Sequence, residues 1–303
     1  MVFLLLMQQK IYFFIHKGET IMRNLTRIIA LALCAVMCFA LCACGGSKSD
    51  SVTDTGVFRV AMECAYAPYN WAQETDANGA VPISGTNLYA YGYDVIIAKK
   101  IAEANGWDLE IVKLDWDSLI PALQAGTVDA VIAGQSVTAD RLKQVDFSTP
   151  YYYATIVTLV KEGNAYENAT SVADLKGATG TSQLGTIWYD NCLGQIPEVN
   201  QLPAQETAPA MLVALDAGTV DVVVTDRPTG SAALAAYDGF KMLDFYGTDG
   251  DYEVSDEDIN IGISVQKGNT AVLDAINKVL GGMTTDDYDK LMNDAIAVQP
   301  LAE

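Results

Sequence analysis

Short apolar runs alternate with longer amphipathic stretches along most of the chain, which predicts strands and helices in turn. Strands are predicted at Phe58–Met62 and Leu109–Lys113, and a helix at Tyr93–Asn105 lies between them. In that helix Val95 and Ile101 belong to an apolar face, while the lysines fall on the opposite face. Strands that alternate with helices predict an α/β fold with parallel sheets.

A ten-residue segment recurs 92 positions later with eight identities, as Ala122–Val131 and Ala214–Val223. Each copy is a helical segment that stops at a glycine, Gly126 or Gly218, and continues into a short apolar strand. A strand–helix–strand pattern surrounds each copy. The repeat therefore predicts two similar α/β lobes.

Two extended, β-rich runs are predicted to cross between the lobes. Residues 150–160 lead out of the first lobe, and residues 259–265 follow the second. Two terminal helices, at about Thr270–Gly281 and Thr285–Ala297, come after the second crossing and return the chain to the first lobe. The predicted boundaries are residues 56–152 plus 258–303 for the first lobe and residues 153–257 for the second.

The N-terminal residues have the pattern of a secretory leader. Arg23 and Arg27 precede a 16-residue apolar run, which is short for a membrane-spanning helix of about 20 residues. The run ends in Leu-Cys-Ala-Cys44, similar to a bacterial lipobox whose last cysteine carries the lipid. We expect a lipoprotein signal peptide at residues 22–43 and a flexible tether at 44–55. Residues 1–21 precede the true start if translation begins at Met22. Alternatively, they belong to a longer leader or form a first membrane segment. An uncleaved anchor helix is the alternative to cleavage at Cys44.

Charge and composition exclude several classes of function. The chain has 18 basic and 38 acidic residues, a net charge of -20, which argues against a nucleic-acid partner and against electrostatic adsorption to anionic lipid. Its one histidine, His16, lies in the predicted leader, so histidine-dependent catalytic triads and zinc sites are not expected. Neither a metal nor a cofactor is indicated.

Polar residues at the exits of the repeated strands are the best candidates for a ligand site, because ligands of open α/β sheets bind beyond the carboxyl ends of strands. After the first repeat, Gly134 allows a close backbone approach, Ser136 offers a hydroxyl, and Arg141 suits an anion such as a carboxylate. A capped surface helix with a solvated arginine is the alternative. After the second repeat, Asp226 suits an ammonium group, or caps a helix, or does both.

Five motifs follow one another along about residues 56–297. In order, they are Glu63-Cys-Ala-Tyr-Ala-Pro-Tyr69, Tyr91-Gly-Tyr-Asp94, the segment from Trp116 to Gly126, Ser136-Val-Thr-Ala-Asp-Arg141, and the segment from Val145 to Tyr152. Together they resemble the motifs of the extracellular solute-binding proteins of polar amino-acid ABC transporters, family 3. The resemblance implies a periplasmic-binding-protein-like type II fold. In that fold two α/β lobes are joined by two hinge strands, with a ligand cleft between.

The resemblance also implies roles for particular residues. Arg141 would hold the α-carboxylate of an amino acid, helped by Ser136 and the backbone near Gly134, and Asp226 would hold the α-ammonium group. The loop Gln183–Thr186 would offer the amides of Gly185 and Thr186 to the carboxylate. Glu63 would face the ligand's side chain, with Tyr66 and Trp116 as aromatic walls.

The expected function is extracytoplasmic binding of a free L-amino acid, with a basic or amide side chain favoured because of Glu63. The partners expected from the resemblance are the membrane permease of an ABC importer and, through a lipid on Cys44, the cell membrane. We expect a monomer and no enzymatic activity. The alternatives are a cyclohexadienyl-dehydratase-like enzyme on the same fold, and a ligand-sensing module.

Overall fold

The computed structural model describes residues 51–300, which form helices and strands in alternation as the sequence predicts. The α-helices are Val52–Thr55, Tyr93–Asn105, Leu119–Gln124, Ala139–Leu142, Ala208–Asp216, Arg227–Ala236, Asp256–Ile259, Thr270–Leu280 and Thr285–Val298. The predicted leader, the proposed lipidation site Cys44 and tether residues 44–50 lie outside the described residues. Between residues 51 and 300, no helix is long and apolar enough to cross a membrane.

Two five-stranded sheets form the framework. The first has the strand order Asp108–Lys113, Val57–Met62, Ala130–Val131, Ser264–Gln266, Val145–Phe147. The second has the order Asn200–Gln201, Thr179–Thr181, Val222–Asp226, Ile156–Lys161, Phe240–Leu243. In each sheet three parallel strands are followed by one antiparallel strand and then the edge strand. The α/β prediction with two similar halves is confirmed.

The chain crosses between the sheets at two segments that pair with each other. Tyr152–Tyr153 leads from the first sheet to the second, and Asn260–Ile261 leads back, in antiparallel register. The returning chain then adds the strand Ser264–Gln266 to the first sheet. Its last helix, Thr285–Val298, contacts both Tyr93–Asn105 and a helix of the second half. The lobe boundaries given by the sequence stay a prediction, and these crossings are compatible with them.

The repeated aspartates, Asp129 and Asp221, make the same kind of contact in both copies of the ten-residue segment. Each aspartate accepts a hydrogen bond from an amide of the neighbouring parallel strand, Arg59 for Asp129 and Thr179 for Asp221, both at 2.9 Å. The preceding Gly126 is left-handed, with φ +72°, as a helix-ending residue must be. The repeat is therefore a unit that ends a helix and bonds to the neighbouring parallel strand of its sheet.

Some predicted elements differ from the structure. The tether is predicted to extend to Thr55, but Val52–Thr55 form a helical turn in which Val52 is fully buried and donates its N–H to Asp129. The helix predicted from about Thr186 is instead a π turn, Trp188–Cys192, followed by a 3-10 turn, Leu193–Gln195. Pro197 follows two residues later and prevents a longer helix, since proline has no N–H to donate.

The remaining elements are 3-10 turns and one small sheet. Residues Trp116–Ser118 form a 3-10 turn directly before the helix Leu119–Gln124. A small sheet forms from the residues after Glu63, with strands Ala65–Tyr66, Asn70–Gln73, Val81–Pro82 and Tyr89–Tyr91. Two further 3-10 turns are Ala77–Gly79 and Val172–Leu175.

Candidate functional site

Loops from the two halves of the molecule meet, and hydrogen bonds join them. The Tyr66 hydroxyl donates to Asp226 Oδ2 at 2.7 Å, and Arg141 Nη2 donates to the carbonyl oxygen of Gly185 at 3.1 Å. A longer contact of 3.4 Å joins Gln183 Nε2 to Glu63 Oε2. The residues that the sequence places at opposite strand exits are therefore brought together.

Arg141 lies at the first-half side of this contact. Its helix begins at the Thr138 cap, whose hydroxyl accepts the Arg141 N–H. The guanidinium donates to the Ser136 carbonyl at 2.9 Å and lies 5.5 Å from the centre of the Trp116 ring, within cation–π range. Desolvation lowers the pKa of Arg141 to about 10, so the group stays cationic at neutral pH. A fixed, partly desolvated cation of this kind suits a carboxylate.

Asp226 lies on the second-half side, at the end of the strand Val222–Asp226, and is 1% exposed. Its Oδ1 accepts the N–H of Thr229 at 2.8 Å, so it caps the helix Arg227–Ala236. Its Oδ2 accepts from Tyr66. Both uses proposed for this position, capping and facing the cleft, are compatible with this geometry. Burial raises the pKa of Asp226, and the hydrogen bonds oppose that shift.

Glu63 is a buried carboxylate with few compensating contacts. It is 4% exposed, and burial raises its pKa to about 7, while the Gln183 side chain opposes the shift and the nearby Asp115 adds to it. The next residue, Cys64, has a left-handed backbone with φ +54°, which turns the chain sharply at this point. A cation close to this buried carboxyl group would favour its ionised form.

The space around Arg141 is nearly filled by the protein itself. A cavity of about 10 Å³ remains there, room for one water molecule at most. Its walls include six of the predicted site residues: Tyr66, Trp116, Gly134, Ser136, Arg141 and Thr186. The structure thus brings these residues around one point, in a closed arrangement whose polar groups bond to one another.

A larger, acidic cavity adjoins the first and shares Trp116 as a wall. Its volume is about 300 Å³, and four carboxylates line it: Glu63, Asp115, Asp117 and Glu206. The other lining residues are Trp116, Ser118, Leu184 and Thr207, so no lysine or arginine belongs to the lining. Both halves of the molecule contribute carboxylates. Such a cavity favours a cationic group.

Two glycines of the predicted site are required by close packing. Gly134 has φ +62°, and a Cβ there would lie 2.6 Å from Cε1 of Tyr66. The close approach predicted at Gly134 is therefore made by a tyrosine ring in this structure. Gly185 has φ +66°, and a Cβ would lie 3.3 Å from Nε1 of Trp116. Gln183 and Thr186 hold this second loop, since the Thr186 hydroxyl donates to the Gln183 carbonyl at 2.7 Å.

Residues that the sequence does not single out also line the site. Trp188 lines the small cavity, with its ring 6.0 Å from Tyr66 at a tilt of 59°, and Tyr69 stacks on Tyr66 at 4.7 Å. Trp188 follows the Gly-Thr loop by two residues, and this closeness in sequence is the one signal that could have indicated it. Asp117 and Glu206 were missed because their proximity depends on how the two halves meet.

Comparisons with known proteins concern the family and the fold of this chain. A sequence model of the bacterial extracellular solute-binding proteins, family 3, matches residues 58–296. A probable histidine-binding protein of Neisseria gonorrhoeae is 31% identical, over 88% of this chain and 94% of that protein. A putative ABC transporter arginine-binding protein 2 of Escherichia coli K12 is 30% identical, over 81% and 93%. The structure of an ancestral arginine-binding protein bound to arginine is 32% identical, with a TM-score of 0.62, over 79% and 97%.

These comparisons confirm the expected resemblance and the type II binding-protein fold. The names of these relatives describe binding proteins rather than enzymes, as the sequence predicts for this chain. The relatives differ in the amino acid they are named for, so the similarity alone leaves the preferred ligand open.

Proposed function

Because the chain belongs to family 3 of the bacterial extracellular solute-binding proteins, we propose that it captures a free L-amino acid with a cationic side chain for an ABC importer. The cleft between its two halves is the proposed binding site. Glu63 alone is compatible with either a cationic or an amide side chain on the ligand. The acidic cavity beside Trp116 favours the cationic side chain. Relatives named for arginine and histidine support the same choice.

The two ends of the proposed ligand are recognised by different groups. In this proposal Arg141 takes the α-carboxylate and Asp226 takes the α-ammonium group. Both charges must be met, since an unpaired charge that leaves water is very costly. The side chain then extends past Trp116 towards Glu63, where a guanidinium, ammonium or imidazolium group replaces water among the carboxylates.

Binding in this scheme exchanges bonds within the protein for bonds to the ligand. Tyr66 bonds to Asp226 and Arg141 bonds to the Gly185 carbonyl, so the ligand must displace these groups or enter before they meet. Entry requires the halves to separate, with the paired segments Tyr152–Tyr153 and Asn260–Ile261 as hinges. The ligand stabilises the closed state only if its bonds to the protein are stronger than the bonds within the protein that it replaces.

The proposed location depends on the family and on the predicted leader. We propose that residues 22–43 are a signal peptide, that Cys44 carries a lipid, and that the lipid holds the protein at the outer face of the cell membrane. The permease of an ABC importer is the proposed partner, and the binding protein acts as a monomer. The family's extracellular character and the lipobox-like sequence before Cys44 support this location.

A thermal-shift screen against the twenty L-amino acids tests the proposal. The purified protein should show a saturable rise in melting temperature with arginine, lysine or histidine, because a ligand that binds only the folded state stabilises it. Arg141→Ala should abolish the shift, and Lys143→Ala, which removes an exposed cation from the same surface, should leave it unchanged. No shift with any amino acid at millimolar concentration would refute the proposal.

A further inference from the structure

A buried carboxylate in the first half connects two of the loops that form the cleft. Asp94 lies in the first turn of the helix Tyr93–Asn105 and is fully buried. Its Oδ1 accepts from the Tyr151 hydroxyl at 2.6 Å, and its Oδ2 accepts from Asn70 Nδ2 at 2.8 Å. Burial raises the pKa of this carboxyl to about 7, and the hydrogen bonds from Tyr151 and Asn70 oppose that shift. Tyr151 and Asn70 are also fully buried, so water does not compete for these bonds.

The first branch of this network reaches the loop after the strand Ala130–Val131. The N–H of Gly134 donates to the Tyr151 hydroxyl oxygen at 3.2 Å. Gly134 is left-handed and touches the Tyr66 ring, so a small shift of its backbone would move the wall of the cleft. Tyr151 also donates its own N–H to Ile261 on the returning hinge segment, at 2.9 Å. This branch therefore links Asp94 to the Gly134 loop and to the hinge.

The second branch reaches the loop that carries Glu63 and Tyr66. Asn70 Oδ1 accepts the N–H of Cys64 at 2.7 Å. Cys64 adopts the left-handed conformation that a non-glycine residue rarely takes, so a specific bond is needed to hold it. Because Cys64 lies between Glu63 and Ala65, this bond fixes the direction in which the Glu63 carboxylate leaves the strand.

We propose that Asp94 is a positioning residue that holds both cleft loops of the first half, at Cys64 and at Gly134, through Asn70 and Tyr151. The inference rests on the proposed function, since it assigns Asp94 an effect on ligand binding without any contact with the ligand. Tyr151 and Asn70 both donate towards position 94, and a carboxylate accepts both bonds. An asparagine at position 94 has only one acceptor oxygen, and its NH₂ group would face the donor of either Tyr151 or Asn70. One of the two hydrogen bonds would therefore be lost.

The test compares Asp94→Asn with a rescue variant and with a matched control. In the double variant Asn70→Asp/Asp94→Asn, the new amide at position 94 donates to the new carboxylate at position 70, and its oxygen accepts from Tyr151. The bond to the Cys64 N–H is kept, so every partner is satisfied again. The control is Thr158→Val, which removes another buried hydrogen bond, 2.6 Å to Tyr252, in the second half.

Two measurements are made on each protein: amide hydrogen exchange at Cys64 and Gly134 by NMR, and the Kd for L-arginine by calorimetry. Asp94→Asn should speed exchange at both amides and weaken binding by about tenfold, the effect of one lost buried hydrogen bond. The double variant should restore both readouts, and Thr158→Val should change neither. If Asp94→Asn does not fold, Tyr151→Phe should speed exchange at Gly134 and leave Cys64 protected.

Three results would overturn the inference. The first is an unchanged exchange rate at Cys64 and Gly134 in Asp94→Asn, or at Gly134 in Tyr151→Phe. The second is that Thr158→Val speeds exchange at these amides as much as Asp94→Asn does. The third is faster exchange in Asp94→Asn with an unchanged Kd for L-arginine. The exchange readout needs no ligand. A wild-type protein that binds no amino acid would therefore refute the proposed function, while the exchange rates still decide whether Asp94 holds the loops.

Discussion

The Tyr66 hydroxyl donates a 2.7 Å hydrogen bond to Asp226 across the cleft, so the carboxylate proposed for the ligand's ammonium group already has a partner. Both residues are 1% exposed, and the bond is therefore shielded from water. The closed arrangement without a ligand is thus stabilised by a group that the ligand must replace. Ligand affinity reports the difference between the two sets of bonds.

Tyr66→Phe should tighten ligand binding. The phenylalanine keeps the ring against Tyr69 and Trp188 but removes the hydroxyl that competes for Asp226. A net hydrogen bond of about 1 kcal/mol in the unliganded state corresponds to a severalfold lower Kd. Calorimetric titration with L-arginine measures the change. Tyr252→Phe, which removes another buried hydroxyl away from the cleft, is the control and should leave the Kd unchanged. Weaker binding in Tyr66→Phe would mean that the hydroxyl serves the ligand.

Ligand affinity should rise with pH because of Glu63. Burial raises the pKa of this carboxyl to about 7, and only its ionised form attracts a cation. The ionised fraction grows about tenfold between pH 6 and 8, and the affinity for L-arginine should follow. Glu63→Gln should remove this part of the pH dependence. Since burial also raises the pKa of Asp94 and of Asp226, the difference between variant and wild type is the quantity to measure.

The same shift affects the stability of the unliganded protein. The folded-state pKa of Glu63 lies above the unfolded value of 4.5, so its contribution to stability is present below that value and is lost as the pH rises through about 7. In chemical denaturation, the wild type should therefore lose more stability than Glu63→Gln between pH 4.5 and 7. Parallel stability curves for the two proteins would contradict the assignment.

The sequence predicts those helices and strands that are determined by residues close to one another in the chain. The helix Tyr93–Asn105 has the predicted ends because Gly92 and Gly106 flank one amphipathic stretch, and both glycines have positive φ. The apolar run at residues 128–133 predicts a longer strand than Ala130–Val131, because an apolar run indicates burial but not where the hydrogen-bonded partner ends. Arg141 and Asp226 could be predicted as site residues because each lies at or after the end of a predicted strand, which is also a local feature of the sequence.

Contacts between the two halves could not be predicted in this way. Glu206 and Asp117 are far apart in sequence, and they line one cavity only because the halves meet at that place. The bond between Tyr66 and Asp226 is likewise a property of the closed arrangement. Sequence resemblance implied roles for the candidate ligand-binding residues, but it did not indicate that those residues bond to one another.

Glu206 should contribute to the preference for cationic ligands from the second half of the protein. It is exposed, so Glu206→Gln should weaken arginine binding only about two- to fivefold at low salt, and less at high salt. Asp249→Asn is the matched control, because it removes one exposed negative charge from the same half outside the cavity lining. Calorimetry at two salt concentrations compares them. Equal effects of the two variants would show that net charge, and not the position of Glu206, sets the affinity.

The proposed lipid on Cys44 can be tested by substitution of this cysteine. In a bacterial host that processes lipoproteins, Cys44→Ala should prevent incorporation of labelled fatty acid and release the protein from the membrane fraction. Cys42→Ala is the control and should leave both unchanged, because Cys44 follows the lipobox-like sequence in the expected register. Labelling that survives in Cys44→Ala but disappears in Cys42→Ala would assign the lipid to the other cysteine.

Calorimetric titration with L-arginine and with L-citrulline tests the central claim most directly. The two ligands share the α-carboxylate, the α-ammonium group and nearly the same side-chain shape, and they differ in the charge at the end of the side chain. If the acidic cavity lined by Glu63, Asp117 and Glu206 receives a cation, arginine should bind at least about tenfold more tightly than citrulline at pH 8. Equal affinities, or tighter binding of citrulline, would contradict the account.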